Sequence, residues 1–359
     1  MQSTESAEAA TAHAIDRREF FGQCGRLGLV TLSVAAAVYR TREQWYESIQ
    51  RDPEIQTIYA ENRSAVGGNK HLVLIAGTAT THTWDSHALV PVAGQFAQIH
   101  ALKHGSEGID VDQLTKQIHQ RVQADQEHQT SPQDVVLVGT SQGANLALAI
   151  AAAINTDPSY ENTRICQIVL RDPPFGEESI RTPQRYAAAG MSAASGVVSN
   201  VGPGEYFMGE LAHIAPESLP LWQKVFEAGR RTLEPIGPKT LADQITMITE
   251  FPHLWPRYAQ QLRDIPIHLV QSGLDTLVEG GFVRKAFTQT RPDIIVHELP
   301  HAPHGAFYFP DDAKNRRAYL DQAATMQRIL FSTGWKPVWD VAAGRPYEEP
   351  GILPSFRLR

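Results

Sequence analysis

Cysteine is nearly absent: the 359 residues hold two, Cys24 and Cys166. Their separation offers neither metal-ligand spacing nor a disulfide framework, which excludes a zinc-ribbon module and a cystine-stapled scaffold. Positive charge is in deficit, with 32 Lys and Arg against 39 Asp and Glu and a formal net charge of −7. A chain without a basic footprint is not a nucleic-acid binder. The apolar run at residues 27–38 is 12 residues long, short of the ~20 that a spanning helix needs. Internal repeats and low-complexity tracts are also missing. What remains is 42% apolar and 20% charged, the balance of a chain with a packed core throughout. Its length suits one large domain with an insertion, or two modest domains.

The N-terminal segment carries its own signal. Residues 1–14 are small and polar, and "DRREFFGQCGRLGLVTLSVAAAVYR" follows at 16–40. Arg17 and Arg18, then Phe20 and Phe21, then the short apolar run resemble a twin-arginine export signal, and Ala35 to Ala37 supply small residues for cleavage. Asp16, Gly22 and Arg26 depart from that pattern. Residues 1–40 are therefore expected to direct export to the periplasm or medium, the alternative being an N-terminal helix of a cytoplasmic protein. Cleavage would remove Cys24 and leave no possible internal disulfide.

From residue 71 onward the sequence alternates between two patterns. "HLVLIAG" (71–77), "DVVLVG" (134–139), "CQIVLRD" (166–172), "IPIHLVQSG" (265–273) and "DIIVHELP" (293–300) are short apolar runs ending in turn residues, the pattern of buried strands; "FAQIHAL" (96–102) is a weaker strand candidate. Between them, 110–128 places Val111, Leu114, Ile118 and Val122 at helical spacing, 142–154 is an Ala-rich helix, and 311–334 is a terminal helix stopped by Gly334. Such alternation predicts an α/β fold with a mostly parallel sheet covered on both faces. It is interrupted over 173–264, which reads as an inserted helical cap between core segments 41–172 and 265–334. Within it, helices are expected to break at Pro252 and Pro256. Tyr206, Phe207, Trp222, Phe226, Trp255 and Tyr258 read as the cap's own small core, or else as the lining of an acyl or aromatic pocket. Residues 335–359, with four prolines, read as an irregular tail.

One junction asks for chemistry. The strand ending "VVLVG" runs through Gly139, Thr140, Ser141, Gln142 and Gly143 straight into the Ala-rich helix. A serine held between strand and helix needs glycines on either side, because a side chain there would strike adjacent backbone. The turn lifts the Ser141 hydroxyl off the sheet, and the helix that follows aims unpaired N–H groups at the same place. The plainer alternative is a serine that caps the helix. A serine hydroxyl is a weak nucleophile near neutral pH and requires a histidine oriented by a carboxylate. Both are available downstream in the order serine, acid, histidine: "LDTLV" puts Asp275 after one strand, and "ELPHAPHGAF" puts His301 and His304 after the last.

On these residues the chain resembles the α/β-hydrolase superfamily over about residues 68–333. The resemblance implies a catalytic triad of Ser141, Asp275 and His304, since the family's last strand commonly leads through Leu-Pro and three small residues to the histidine. His301 is the other candidate, and Asp172, after the "VLRD" strand, is the other acid. It also implies an oxyanion hole built from the backbone N–H groups of Gln142 and Thr78; here Ala76-Gly77 stands where the family usually has His-Gly. The activity implied is hydrolysis of a small-molecule carboxylic ester, esterase- or lipase-like, through an acyl-enzyme on Ser141. Carbon–carbon bond hydrolysis, cofactor-free haloperoxidation and a non-catalytic binding scaffold share the same architecture. No cofactor is expected. Nor is a metal, because "HTWDSH" (82–87) lacks a His-x-His pair and the histidines of "HELPHAPH" lie on the triad loop.

Overall fold

The structure is a computed structural model that describes residues 53–59, 69–77, 89–90, 92–94, 96–105, 107–124, 132–181, 238–275, 277–304 and 313–335. The expected export segment, most of the expected cap and the C-terminal tail lie outside the described residues.

The apolar runs form strands because their β-branched and aliphatic side chains pack on both faces of a sheet. These are β1 (Glu54–Tyr59), β2 (Lys70–Ile75), β3 (Gln98–Lys103), β4 (Gln133–Thr140), β5 (Thr163–Arg171), β6 (Ile267–Ser272) and β7 (Ile295–Leu299). They join one seven-stranded sheet in the order β1-β3-β2-β4-β5-β6-β7. Only β1 runs antiparallel to its neighbour; β2 through β7 are parallel. β1 has no counterpart in the sequence reading, because an edge strand reading "EIQTIY" carries no continuous apolar run.

Alternate residues of each strand face opposite layers. Val73, Ile75, Val135, Leu137, Ile168, Leu170, Ile267 and Leu269 pack with α1 (Val111–Gln123), α2 (Gln142–Thr156), α3 (Pro238–Gln261) and α4 (Gly280–Thr290). Leu72, Leu74, Val136, Val138, Val169 and Val270 pack with α5 (Ala313–Ser332) and with Leu89, Val92 and Phe96. Asp110 caps α1 by accepting from the Gln113 N–H at 3.0 Å.

α3 corrects one expectation. It runs unbroken through Pro252 and Pro256, although each proline removes an intrahelical donor. Burial on its other flank outweighs that loss. Phe251 and Trp255 are each 1% exposed, and Trp255 meets Phe287 with ring centroids 4.7 Å apart; truncating such rings typically costs about 3–5 kcal/mol apiece. Trp255 therefore belongs to the main core, packed beside α2, and not to a separate cap core. Among the described residues no helix is long and apolar enough to cross a membrane.

Candidate active site

Parallel strands deliver their carboxyl ends to one edge of the sheet, the usual place for a site in this architecture. Ser141 follows β4, Asp172 follows β5, Asp275 lies three residues after β6, and His304 lies five after β7.

Ser141 has φ 52° and ψ −128°, and its side chain makes no capping hydrogen bond to α2. That geometry is outside the extended region of an ordinary N-cap. The only other non-glycine residue with positive φ among those described is Asp172, at 47°. Ser141 is anchored at both ends of its peptide: its N–H donates to the Arg171 carbonyl at 2.7 Å, and its carbonyl accepts from the Ala144 N–H at 2.9 Å.

The two glycines expected to make room do so for different reasons. A Cβ on Gly139 would press on the Gly143 carbonyl and the Ala144 backbone, with Ala144 N at 2.6 Å. A Cβ on Gly143 would strike the carbonyl oxygens of Ile75 and Ala76, with the Ala76 carbonyl carbon at 2.8 Å. Gly143 thus seats α2 against the end of β2, the strand that leads to Thr78. Thr78 itself lies outside the described residues. Gln142 is the first residue of α2, so its N–H has no intrahelical partner. Its side chain is fully buried and donates through Nε2 to the Met247 sulfur at 3.3 Å.

Asp275 and His304 come together. His304 Nδ1 lies 2.8 Å from Asp275 Oδ2, and both residues are buried. The second carboxylate oxygen, Oδ1, accepts from the Leu277 and Val278 N–H groups at 2.8 and 2.9 Å. With the carboxylate as acceptor, the Nδ1 proton is assigned to that bond and Nε2 is left with its lone pair. His301, the other histidine of the loop, is exposed and makes no such bond to Asp275. The acid loop and the histidine loop are laced together by Gly273 N–H to the Leu299 carbonyl at 2.8 Å and Leu274 N–H to the Ala302 carbonyl at 3.0 Å. Gly273 permits this approach, since a Cβ there would meet the Pro300 carbonyl oxygen at 2.7 Å.

Asp172 is part of the same cluster. One donor atom from each of Asp172, Asp275 and His304 lies within 4.8 Å of the others. Asp172 Oδ1 accepts from the Ser272 N–H at 2.7 Å, and Oδ2 pairs with the Ser272 hydroxyl at 2.6 Å. Burial first, and then the Asp275 carboxylate, push the Asp172 carboxyl up from the usual range; His304 and Ser272 oppose that shift. Among the described residues, these are the three groups of proton-handling type that meet here. Burial, aided by Asp134, pushes the Cys166 thiol up to about 11, which disfavours its thiolate near neutral pH.

Sequence reasoning missed Ser272, Gly273 and Arg171. Gly273 was visible as the "SG" that closes β6. Arg171 and Ser272 give no local signal, because their importance lies in contacts between strands.

A seven-stranded, mostly parallel sheet with helices on both faces is the architecture of the α/β-hydrolase fold. Solved structures agree. The chain is similar to a monoacylglycerol lipase of Paleococcus ferrophilus, at 15% identity and TM-score 0.51 over 79% of this chain and 99% of that one. A soluble variant of the monoglyceride lipase of Saccharomyces cerevisiae matches at 13% and 0.51, over 78% and 91%. A bromoperoxidase of Bacillus anthracis matches at 14% and 0.50, over 77% and 94%. Identities this low speak to the fold alone. Neither a protein-family model nor a curated protein matches the sequence.

Proposed function

We propose that this protein is a serine hydrolase that cleaves a carboxylic ester through an acyl-enzyme on Ser141. The observation that carries the reading is the buried 2.8 Å bond between His304 Nδ1 and Asp275 Oδ2, at the sheet edge where Ser141 sits in a left-handed turn without capping its helix. Asp275 orients the ring and stabilises the imidazolium that forms during turnover. His304 Nε2 takes the Ser141 hydroxyl proton as Oγ attacks the ester carbonyl carbon. The oxygen that becomes negative is received by the backbone N–H groups of Gln142 and Thr78. The intermediate collapses, the C–O bond breaks, and His304 gives its proton to the departing alkoxide. Water then attacks the acyl-enzyme, losing its proton to His304, and the carboxylic acid and free Ser141 are released.

The supporting resemblance is to lipases and an esterase-type architecture; the ester itself rests on the nucleophile, not on its neighbours. Export through the twin-arginine segment is part of the same proposal and is tested by N-terminal sequencing of protein from a bacterial host. For the activity, a fluorophosphonate probe should label the wild type and leave Ser141→Ala unlabelled, and a p-nitrophenyl ester panel should show turnover lost in that variant. Equal labelling of both proteins overturns the assignment.

A further inference from the structure

Helix α2 buries mostly alanine, leucine and isoleucine, yet its first turn also buries two amides, Gln142 and Asn145, three residues apart on one flank. We propose that Gln142 and Met247 form a positioning pair. The tether from the Gln142 amide to the Met247 sulfur fixes the first turn of α2, and with it the direction of the Gln142 N–H that receives the oxyanion. This role rests on the serine-hydrolase reading and names the side chains that set one half of its oxyanion hole.

A helix that begins at a nucleophile lacks the usual fastening. An N-cap serine commits its oxygen to the first turn, whereas Ser141 makes no such bond. Two lateral ties take its place. Gln142 Nε2 donates to the Met247 sulfur at 3.3 Å, and Asn145 Nδ2 donates to the Pro174 carbonyl at 3.1 Å. The helix that carries Met247 is itself held. Thr240 of α3 donates to the Gly105 carbonyl at 2.6 Å and accepts from the Gly108 N–H at 3.1 Å, and Asp243 accepts from the Ile109 N–H at 2.8 Å. At the far end Asn155 Nδ2 donates to the Gln261 carbonyl at 2.7 Å. α3 is thus a strut laid along α2, fixed to the loop after β3 and to both ends of its neighbour.

The tether is kept at a cost, which marks it as more than packing. Gln142 is fully buried, and among the described residues its Oε1 has no hydrogen-bond partner. A buried amide oxygen left unpaired destabilises the fold, and a thioether sulfur is a weak acceptor for the Nε2 that faces it. Methionine at 142 would fill nearly the same space without that loss. An amide kept there against stability fits a residue whose N–H direction matters, because a misplacement of about 1 Å at a reacting centre can cost ~100-fold in rate.

The experiment measures kcat and KM for a p-nitrophenyl ester, together with urea unfolding, on the full chain. Gln142→Met should lower kcat about 10-fold, short of the ~10²- to 10³-fold of a deleted oxyanion donor. Its KM should stay within about twofold of the wild type, and its urea midpoint should equal or exceed that of the wild type. Met247→Leu, which removes the sulfur at similar volume, should lower kcat likewise. Met247→Gln, which offers an amide oxygen instead, should recover most of that loss. The double variant Gln142→Met/Met247→Leu should be no slower than the slower single, since each breaks the same tether. A kcat for Gln142→Met equal to that of the wild type overturns the proposal. So does a KM that rises while kcat holds, which would make Gln142 a substrate contact. A kcat that falls only in step with the urea midpoint across the variants overturns it too, as the mark of packing. If Gln142→Met does not fold, Met247→Leu against Met247→Gln decides, and equal rates in those two exclude the tether. Turnover abolished by Ser141→Ala but untouched by the tether variants leaves the hydrolase reading standing and sinks this inference alone. No ester turnover and no fluorophosphonate labelling in the wild type would sink both.

Discussion

The N–H of Ser141 donates to the carbonyl of Arg171 at 2.7 Å, which ties the left-handed serine to the end of the neighbouring strand. The Arg171 side chain reinforces the same joint. It is fully buried, gives Nη1 to the Thr140 hydroxyl, and gives Nε and Nη2 to Gln322 of α5 at 3.0 Å each when the amide oxygen faces it. Arg171→Met should therefore lower unfolding free energy by about 1–3 kcal/mol and slow fluorophosphonate labelling of the folded protein. Urea unfolding curves superimposable on those of the wild type would contradict this.

Gly143→Ala should be more damaging than an ordinary helix substitution. Alanine raises helix propensity, worth up to ~1 kcal/mol in its favour. Its Cβ nevertheless meets backbone of Ile75 and Ala76, which cannot rotate away. The expected outcome is a net loss of about 1–3 kcal/mol together with impaired turnover, as α2 is pushed off the end of β2. A variant as stable and active as the wild type would mean that β2 and α2 are not seated as described.

Acid should weaken the fold partly through His268. It is buried against His297, with Nδ1 3.0 Å from His297 Nε2, and its own Nε2 makes no hydrogen bond. Burial first and His297 second lower it from 6.5 to about 4. The unfolded chain then binds the extra proton between those values. The stabilisation is complete above about pH 6.5 and lost as pH falls towards 4, amounting to at most about 3 kcal/mol. Urea midpoints measured from pH 7 to pH 4 should decline less steeply in His268→Asn; parallel declines would remove His268 as a cause.

Pro256→Ala should stabilise. Pro256 is exposed on α3 and denies the Pro252 carbonyl its helical donor, whereas the aromatic flank that holds the helix is unaffected. A gain of about 1–3 kcal/mol is expected, bounded by the intrinsic proline penalty. Thermal unfolding gives the answer directly, and an unchanged or lower midpoint would show that the helix geometry there depends on the proline ring.

Much of the fold and site follows from local pattern. The apolar runs of β2, β4, β5 and β6 and the periodicity of α1 are one-dimensional signals, because burial on both faces, or on one, sets which positions are apolar. Gly139 answers to a local demand, from Gly143 and Ala144 a few residues on, whereas the demand at Gly143 comes from Ile75 and Ala76, distant in sequence. Asp275 and His304 were readable as candidates from chain order. Tertiary structure alone decided the rest. That His304 and not His301 faces Asp275 depends on how the loop after β7 laces to Gly273. That α3 survives two prolines depends on Phe287 and the core waiting on its far side. Asp172 and Asp275 lie about a hundred residues apart in sequence and become one electrostatic unit only where β5 and β6 end side by side, since a charge responds to distance in space and not along the chain.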